Sequence, residues 1–207
     1  MHEWCRTWQV NMNPKKSQVV LFSKCEKETH DKEIINLKLV DKKIPVENEA
    51  IYLGITFDSR LSWEQQVSKM ANKAYGRLNL LRAMVGLSSK TNPNLLSQLY
   101  SSTIRSIFEY ASLCVICTAD MHMKKLELIQ NQALRIILKV PAYVPIEVMK
   151  DGAGHVSVKS HLLKFAGDRV KQLRQSSLVV RSTIASFNRI RHSQYNFSTL
   201  DALQLDN

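Results

Sequence analysis

Residues 51–81 read IYLGITFDSRLSWEQQVSKMANKAYGRLNLL, and the spacing of the apolar side chains changes within this stretch. Positions 51–57 are rich in β-branched and aromatic residues, which is typical of a strand. Beyond them, apolar residues recur every three or four positions, as on one face of a helix. Ser62 and Gln65 form a capping-box pattern at the start of that helix. The stretch therefore predicts a strand followed by an amphipathic helix that ends near Gly86.

The sequence before this stretch predicts a small β-rich region. Trp4 and Trp8 are spaced to share one face of a short helix, which we expect to end near Pro14 because proline cannot continue it. Pro45 argues for an edge strand. The predicted strands are residues 18–22, 34–40 and 43–46, with a turn at Asp41 and Lys42 between the last two.

The sequence after residue 61 predicts helices only. Asn92 and Pro93 carry the cap and first-position proline of a second helix, and Pro141 ends a third. The second helix is expected to reach at least Phe108, the third to cover about 120–140, and a fourth about 157–180. The fold class is therefore α+β. Its expected parts are a β-rich region at 1–60, a helical region at 61–190 and a flexible tail at 191–207.

The distribution of charge indicates an anionic partner. Residues 1–60 hold ten Lys or Arg and nine Asp or Glu, whereas residues 61–207 hold nineteen and nine, a balance of +10. A nucleic acid is the first candidate partner for this excess, and an anionic membrane surface is the second. No apolar stretch of about 18 residues predicts a membrane span. With sparse cysteines and no secretory signal, we expect an intracellular protein, in the cytoplasm or nucleus.

Two motifs invite catalytic or metal-binding interpretations. Cys114 and Cys117, with His122 behind them, have the spacing of a zinc knuckle, but Glu127 stands at the fourth ligand position. Structural zinc needs four closing ligands, so core packing explains the cysteines better. Two-metal phosphoryl transfer needs converging carboxylates, and the chain has no Asp-Asp pair. The nearest substitutes are Asp31 with Glu33 and Glu47 with Glu49, which more simply keep loops solvated.

The basic residues of the first long helix suggest nucleic-acid binding. Lys69, Lys73 and Arg77 lie four residues apart, so they form a single stripe. Such a row can neutralise successive phosphates, although charged rows usually only solvate a helix face. The +10 balance favours binding. Further basic residues of the third helix add to the same field: Lys124, Lys125, Arg135 and Lys139.

Four blocks of the chain resemble, in order and spacing, the reverse transcriptases of non-LTR (LINE-like, jockey-like) retrotransposons, just after their catalytic carboxylates. In that family a Trp pair precedes Asn-Pro-x-Lys-Thr, where this chain has Ser17 for Thr. The family's Tyr-Gly is Tyr110-Ala111 here. The four blocks are Trp4 to Ser23, Tyr52 to Trp63, Ser106 to Ala111, and Leu128 to Val144.

This resemblance implies a role for each matching position. Lys16 matches a lysine thought to assist proton transfer at the incoming nucleotide. Tyr52, Leu53 and Gly54 match the primer-grip hairpin, and the helices from Ser62 onward match the thumb, which holds the template–primer duplex of RNA and DNA. The resemblance thus implies a palm remnant followed by a helical thumb.

The same resemblance implies that fingers, most of the palm and the Ala-Asp-Asp carboxylates that hold Mg²⁺ would precede Met1. We therefore expect no cofactor in this chain, no membrane partner, and no polymerisation by the chain alone. The leading hypothesis is a module that binds template–primer nucleic acid. The alternatives are a polymerase part completed in trans by the rest of a reverse transcriptase, and a remnant without selected function.

Overall fold

A computed structural model describes residues 2–23, 36–39, 42–87 and 92–176 of the chain. The chain divides into two compact units, Met1–Gln65 and Gln66–Asn207. The first contains short strand pairs and the second is helical, so the predicted α+β class is confirmed. The expected tail at 191–207 lies outside the described residues. Among the described helices, none combines the length and apolar character needed to cross a membrane.

The first unit begins with α1 (His2–Thr7), which is shorter than predicted. Gln9 adopts a left-handed φ of 52°, and the Val10 N–H donates to the Cys5 carbonyl at 2.9 Å. This is the Schellman arrangement that ends helices, so the helix stops well before Pro14. Pro14 instead opens a 3₁₀ turn (Pro14–Lys16), in which the Asn13 side chain accepts a hydrogen bond from the Lys15 N–H.

The strands of the first unit are shorter than predicted and pair two by two. The predicted strand at 18–22 forms a ladder over two residues only. The expected turn at Asp41 and Lys42 is displaced, because Lys42 is already in a strand and pairs with Leu39; residue 41 lies outside the described residues. The pairs are β1 (Val19–Val20) parallel to β4 (Val46–Glu47), β2 (Lys38–Leu39) antiparallel to β3 (Lys42–Lys43), and β5 (Glu49–Tyr52) antiparallel to β6 (Ile55–Asp58).

The single strand predicted over 51–57 is wrong, because the chain reverses in its middle. Leu53 and Gly54 have φ of 49° and 76°, the left-handed values that a tight two-residue hairpin turn requires. Tyr52 pairs with Ile55 across the turn. Residues 49–58 therefore form a hairpin with Leu53 and Gly54 at its turn, which strand propensity alone missed.

Asp58 joins this hairpin to the first long helix. Its carboxylate accepts hydrogen bonds from the Ser62 N–H at 2.8 Å and the Trp63 N–H at 3.0 Å. Both Leu61 and Trp63 have left-handed φ angles, and the Trp63 ring packs edge-on against Phe57 at 5.3 Å between centroids. Helix α2 (Glu64–Leu87) then begins. Asp58 therefore caps the start of α2, and the Ser62 hydroxyl accepts a longer hydrogen bond, at 3.4 Å, from the Glu64 N–H.

The predicted second helix is one continuous run with a change of hydrogen bonding in the middle. Asn92 caps its start through the Asn94 N–H, as predicted. The run comprises α3 (Pro93–Tyr100), a π-helical turn (Ser101–Arg105) and α4 (Ser106–Tyr110), followed by the short helix α5 (Ser112–Val115), which the sequence did not predict.

The predicted third and fourth helices are present as α6 (Asp120–Leu138) and α8 (Val158–Ser176). Lys139 ends α6 with a left-handed φ of 54°. A further helix, α7 (Ile146–Ala153), was not predicted; it ends at Gly154, which is also left-handed. Helix α6 packs against α3, α7 and α8. Its fully buried side chains include Leu126, Ile129, Ala133 and Leu134.

Candidate nucleic-acid interface

The basic stripe predicted on the first long helix lies along one flank of α2. Lys69, Lys73 and Arg77 are all exposed, whereas Ala74 and Leu78 between them are completely buried. Helix α2 spans 24 residues, so the stripe occupies more than two of its turns. Its apolar face anchors the helix, and the exposed flank presents three cations at regular spacing.

Lys73 and Arg77 form no ion pair with any residue within the described ranges. No carboxylate in the described part of the chain therefore pairs with either charge. A cation in this position gains little from a folded neighbour and is available to an anionic partner. The regular spacing along one flank of a single helix distinguishes the stripe from the other exposed basic residues.

Tyr52, Leu53 and Gly54 lie together at the tip of the β5–β6 hairpin. The tyrosine and leucine side chains are 67% and 72% exposed, and Ile51 beside them is 64% exposed. An apolar tip left in water is a candidate contact surface. The hairpin belongs to the first unit and the basic stripe to the second, so they form two separately described surfaces.

Lys16, the matched proton-transfer lysine, closes the 3₁₀ turn that begins at Pro14. Its backbone N–H donates to the Asn13 carbonyl at 3.1 Å, and its side chain is exposed. The turn fixes the backbone at this position and leaves the ammonium group accessible.

Arg135 lies on α6, half-buried, with a structural partner for its side chain. One guanidinium nitrogen, Nη1, donates to the carbonyls of Pro141 and Val144 at 2.9 and 3.1 Å. Arg135 therefore holds the turn that follows α6. A phosphate contact by its remaining N–H groups stays a prediction.

Arg82 is a basic residue that sequence reasoning did not single out. It is exposed on α2. Its Nη1 atom donates to Asn79 Oδ1 at 2.8 Å, and its Nη2 atom donates to Gln132 Oε1 on α6 at 3.2 Å. This bond links the helix that carries the stripe to the central helix of the unit. Spacing could not have identified it, because residues 82 and 132 are far apart in the chain.

A buried polar network connects α3, α6 and the segment after α7, and no sequence pattern predicts it. The Tyr100 hydroxyl donates to Gln130 Oε1 at 2.9 Å, and Gln130 Nε2 donates to the Val156 carbonyl at 2.9 Å. Burial raises the pKa of Tyr100 to about 12, so the hydroxyl stays protonated and donates. Ser97 Oγ bonds His155 Nε2 at 3.0 Å.

Arg105, at the end of the π-helical turn, lies over the Tyr100 ring at 5.7 Å. Its Nη2 atom is buried and has no hydrogen-bond partner among the described residues. Burial lowers the pKa of His155, and the positive charges of Arg105 and His161 lower it further. The Nε2 atom of His161 forms a hydrogen bond with Glu109 Oε1 at 2.7 Å. A half-buried guanidinium thus lies beside the buried hydrogen-bond network.

The zinc-knuckle interpretation finds no support in the described residues. Glu127 accepts from Lys150 Nζ and from the Lys159 N–H, each at 3.4 Å, so its carboxylate is already engaged. Burial raises the pKa of Cys114 to about 11 and also raises that of Cys117, which disfavours the thiolates that zinc binds. Both thiols are half-buried and free.

Of the two carboxylate pairs considered for two-metal chemistry, Glu47 and Glu49 lie within the described residues, and they belong to no metal-binding group there. Glu49 lies directly opposite Asp58 across the β5–β6 ladder, but both Asp58 oxygens accept backbone hydrogen bonds. Asp31 and Glu33 lie outside the described residues. Within the described ranges, no group of three or more His, Cys, Asp or Glu side chains could hold a metal ion. The described residues therefore do not fit a Mg²⁺ site.

Two curated proteins of Drosophila melanogaster are similar in sequence to the chain. One is the probable RNA-directed DNA polymerase from transposon BS, which is 25% identical over 141 residues, 68% of this chain. The other is the probable RNA-directed DNA polymerase from transposon X-element, which is 28% identical over 142 residues, 65% of this chain. No protein-family model and no solved structure matches the chain.

The chain spans only 15% and 14% of the length of these two proteins. The similarity agrees with the resemblance seen in the four sequence blocks, whose order and spacing pointed to the same family. The chain is therefore related to the RNA-directed DNA polymerases of non-LTR retrotransposons, and it corresponds to a small part of each.

Proposed function

We propose that this chain binds the backbone of a template–primer duplex, as the thumb part of a reverse transcriptase. The observation that carries the proposal is the stripe of Lys69, Lys73 and Arg77, exposed along one flank of a well-anchored helix. Three cations at one-turn spacing suit successive phosphates, which have no sequence identity. The balance of +10 after residue 60 supports the same partner.

The apolar hairpin tip adds a second contact in this proposal. Tyr52 and Leu53 are exposed at a fixed turn, where they can press against sugars or base edges near the 3′ end of a primer. Lys16 would assist proton transfer only when the rest of a polymerase supplies the incoming nucleotide and its Mg²⁺. The protein would act inside the cell, in the cytoplasm or nucleus, where such duplexes form.

Binding at several salt concentrations tests the proposal. Replacing Lys69, Lys73 and Arg77 with Gln should reduce the slope of log affinity against log salt by about 2–3 units. Affinity should fall equally for every duplex sequence, because backbone contacts do not specify sequence. The matched control replaces Lys38, Lys42 and Lys43, three exposed lysines of the first unit, and should preserve most of the slope. Equal losses in both variants would show a general charge effect and no interface.

We also propose that the chain alone does not polymerise. The described residues offer no metal site, and the related polymerases extend far beyond the matched part. Two-metal transfer needs seated metal ions. Primer extension on a primed RNA template with Mg²⁺ or Mn²⁺ should give no product. Extension that co-purifies with the chain through several independent separations would refute this part of the proposal.

A further inference from the structure

Trp4 and Trp8 form an exposed aromatic pair on α1. The Trp8 N–H donates to the Trp4 carbonyl at 3.0 Å, which sets the two side chains one helical turn apart. Their ring centroids are 6.4 Å apart, with 43° between the planes. The side chains are 59% and 66% exposed. Two adjacent indoles left in water are unusual for a folded protein, so this pair indicates a binding surface.

The segment that carries the pair, residues 2–23, has an excess of positive charge, which favours an anionic partner. Residues 2–23 hold three basic side chains, Arg6, Lys15 and Lys16, and a single acidic one, Glu3, and all four are exposed.

We propose that Trp4 and Trp8 form a stacking platform for the unpaired bases of a single-stranded nucleic acid. Its phosphates would be held by Arg6, Lys15 and Lys16. A duplex buries the faces of its bases, so only an unpaired strand can stack on indoles. A neutral protein partner would cover the rings but would gain nothing from the surrounding cations. This inference extends the proposed function to an unpaired strand, and it rests on residues separate from the basic stripe.

Tryptophan fluorescence of the full chain tests this directly. The chain has three tryptophans, and Trp63 is 9% exposed, packed against Phe57, so it serves as an internal reference. Adding an oligothymidine of about 12 nucleotides should quench the tryptophan emission as the strand binds. Binding is measured independently from the fluorescence anisotropy of a labelled strand. A blunt duplex of the same length should quench far less.

The variant Trp4→Leu/Trp8→Leu retains only the Trp63 signal and keeps the surface apolar. It should lose the quenching and bind the single strand about tenfold or more weakly. Trp4→Phe/Trp8→Phe should bind with intermediate affinity, because phenylalanine still stacks. The Gln variant at Lys69, Lys73 and Arg77 should keep the quenching even if its duplex binding is lost, which separates this inference from the proposed function.

Three results would overturn the inference. The strand could bind without changing tryptophan emission, or the Leu variant could bind it as tightly as the parent. Emission could also change with protein concentration alone, which would mean that a second copy covers the pair.

Discussion

The two units of this chain differ in how they bury apolar surface. In the second unit, α-helices of 4 to 24 residues enclose a continuous core in which Leu96, Tyr100 and Leu126 are completely buried. In the first unit the strands are two to four residues long, and its buried apolar side chains among the described residues are only Cys5 and Trp63. Trp4, Trp8 and the hairpin tip remain exposed.

The difference follows from the geometry of the elements. A helix buries a stripe of its own side chains against its neighbours, whereas a strand pair needs a wider sheet or a covering layer to form a core. The first unit has neither within the described residues. Stability is therefore expected to concentrate in the helical unit, while the first unit leaves more of its apolar surface exposed.

Hydrogen exchange should show the largest contrast between the units. Backbone amides of β1 to β6 should exchange about 100-fold or more faster than those in the centre of α6, because few buried contacts oppose local opening in the first unit. Mass spectrometry of deuterated peptides from the full chain measures this. Equal protection in both units would mean that the first unit is held by contacts that its own strands do not provide.

Truncating a buried isoleucine of the second unit should lower the free energy of unfolding much more than truncating an exposed isoleucine of the first unit. Ile129 on α6 is completely buried, so Ile129→Ala should lower the free energy of unfolding by about 2–5 kcal/mol. Ile51 is 64% exposed, and Ile51→Ala should change it by less than about 0.5 kcal/mol. Urea denaturation followed by circular dichroism compares the two variants. A comparable loss for Ile51→Ala would contradict the contrast.

Removing one hydroxyl tests the polar network inside the helical unit. Tyr100→Phe leaves Gln130 Oε1 buried without its donor and should cost about 1–3 kcal/mol. Tyr75 is 40% exposed on α2, so Tyr75→Phe is the matched control and should be close to neutral. If thermal melting gives the same small change for both variants, the network does not stabilise the core.

Asp58→Asn should destabilise the start of α2 by about 1 kcal/mol, because the carboxylate receives two backbone hydrogen bonds there. Partial burial raises the pKa of Asp58, but the hydrogen bonds from the Ser62 and Trp63 N–H groups outweigh burial. The pKa of Asp58 therefore lies below its usual value of 3.8. The stabilisation is therefore present above about pH 4 and is lost as the pH falls through the lower, folded-state value.

Urea titrations of parent and variant from pH 7 down to pH 3 should show the Asp58 difference shrinking at the acid end. Asp168→Asn, at an exposed position on α8, is the control and should show no such convergence. A constant difference across this range would mean that the charge of Asp58 does not contribute.

The smallest expected effect is the response of the helical unit to mild acid. The pKa of His155 is lowered by burial and by the charges of Arg105 and His161, so the folded state prefers the neutral ring. Stability should fall as the pH drops below about 6.5, where the unfolded state takes up a proton more readily. His155→Gln should show a shallower dependence on pH between 7 and 5. Superimposable profiles would exclude a contribution from His155.

Much of the helical unit was predictable from sequence, because its signals are local. The apolar period of α2 and α6, the cap at Asn92 and the stop before Pro141 each act within a few residues. The wrong predictions of element boundaries also have local causes. Gln9 ended α1 early, and the turn at Leu53 and Gly54 interrupted what strand propensity treated as one segment.

The candidate site was predictable only in part. The spacing of Lys69, Lys73 and Arg77 implied a stripe, but not that Lys73 and Arg77 lack ion pairs with the described residues. Arg135 was predicted to bind nucleic acid, which stays a prediction, but no spacing indicated that its Nη1 atom also supports the turn after α6. No sequence pattern indicated the role of Arg82, since its hydrogen-bond partner Gln132 lies on a different helix.

The sequence by itself determined the helix periods, the excess of positive charge after residue 60 and the relation to non-LTR retrotransposon polymerases. These depend on residue type and on short spacings, which a linear chain already contains. Only the tertiary structure decided which charges stay unpaired, which tryptophans stay exposed, and that Tyr100, Gln130 and the Val156 carbonyl form one buried network. Those properties depend on contacts between residues that are distant in sequence, and the same contacts determine which side chains stay exposed to solvent.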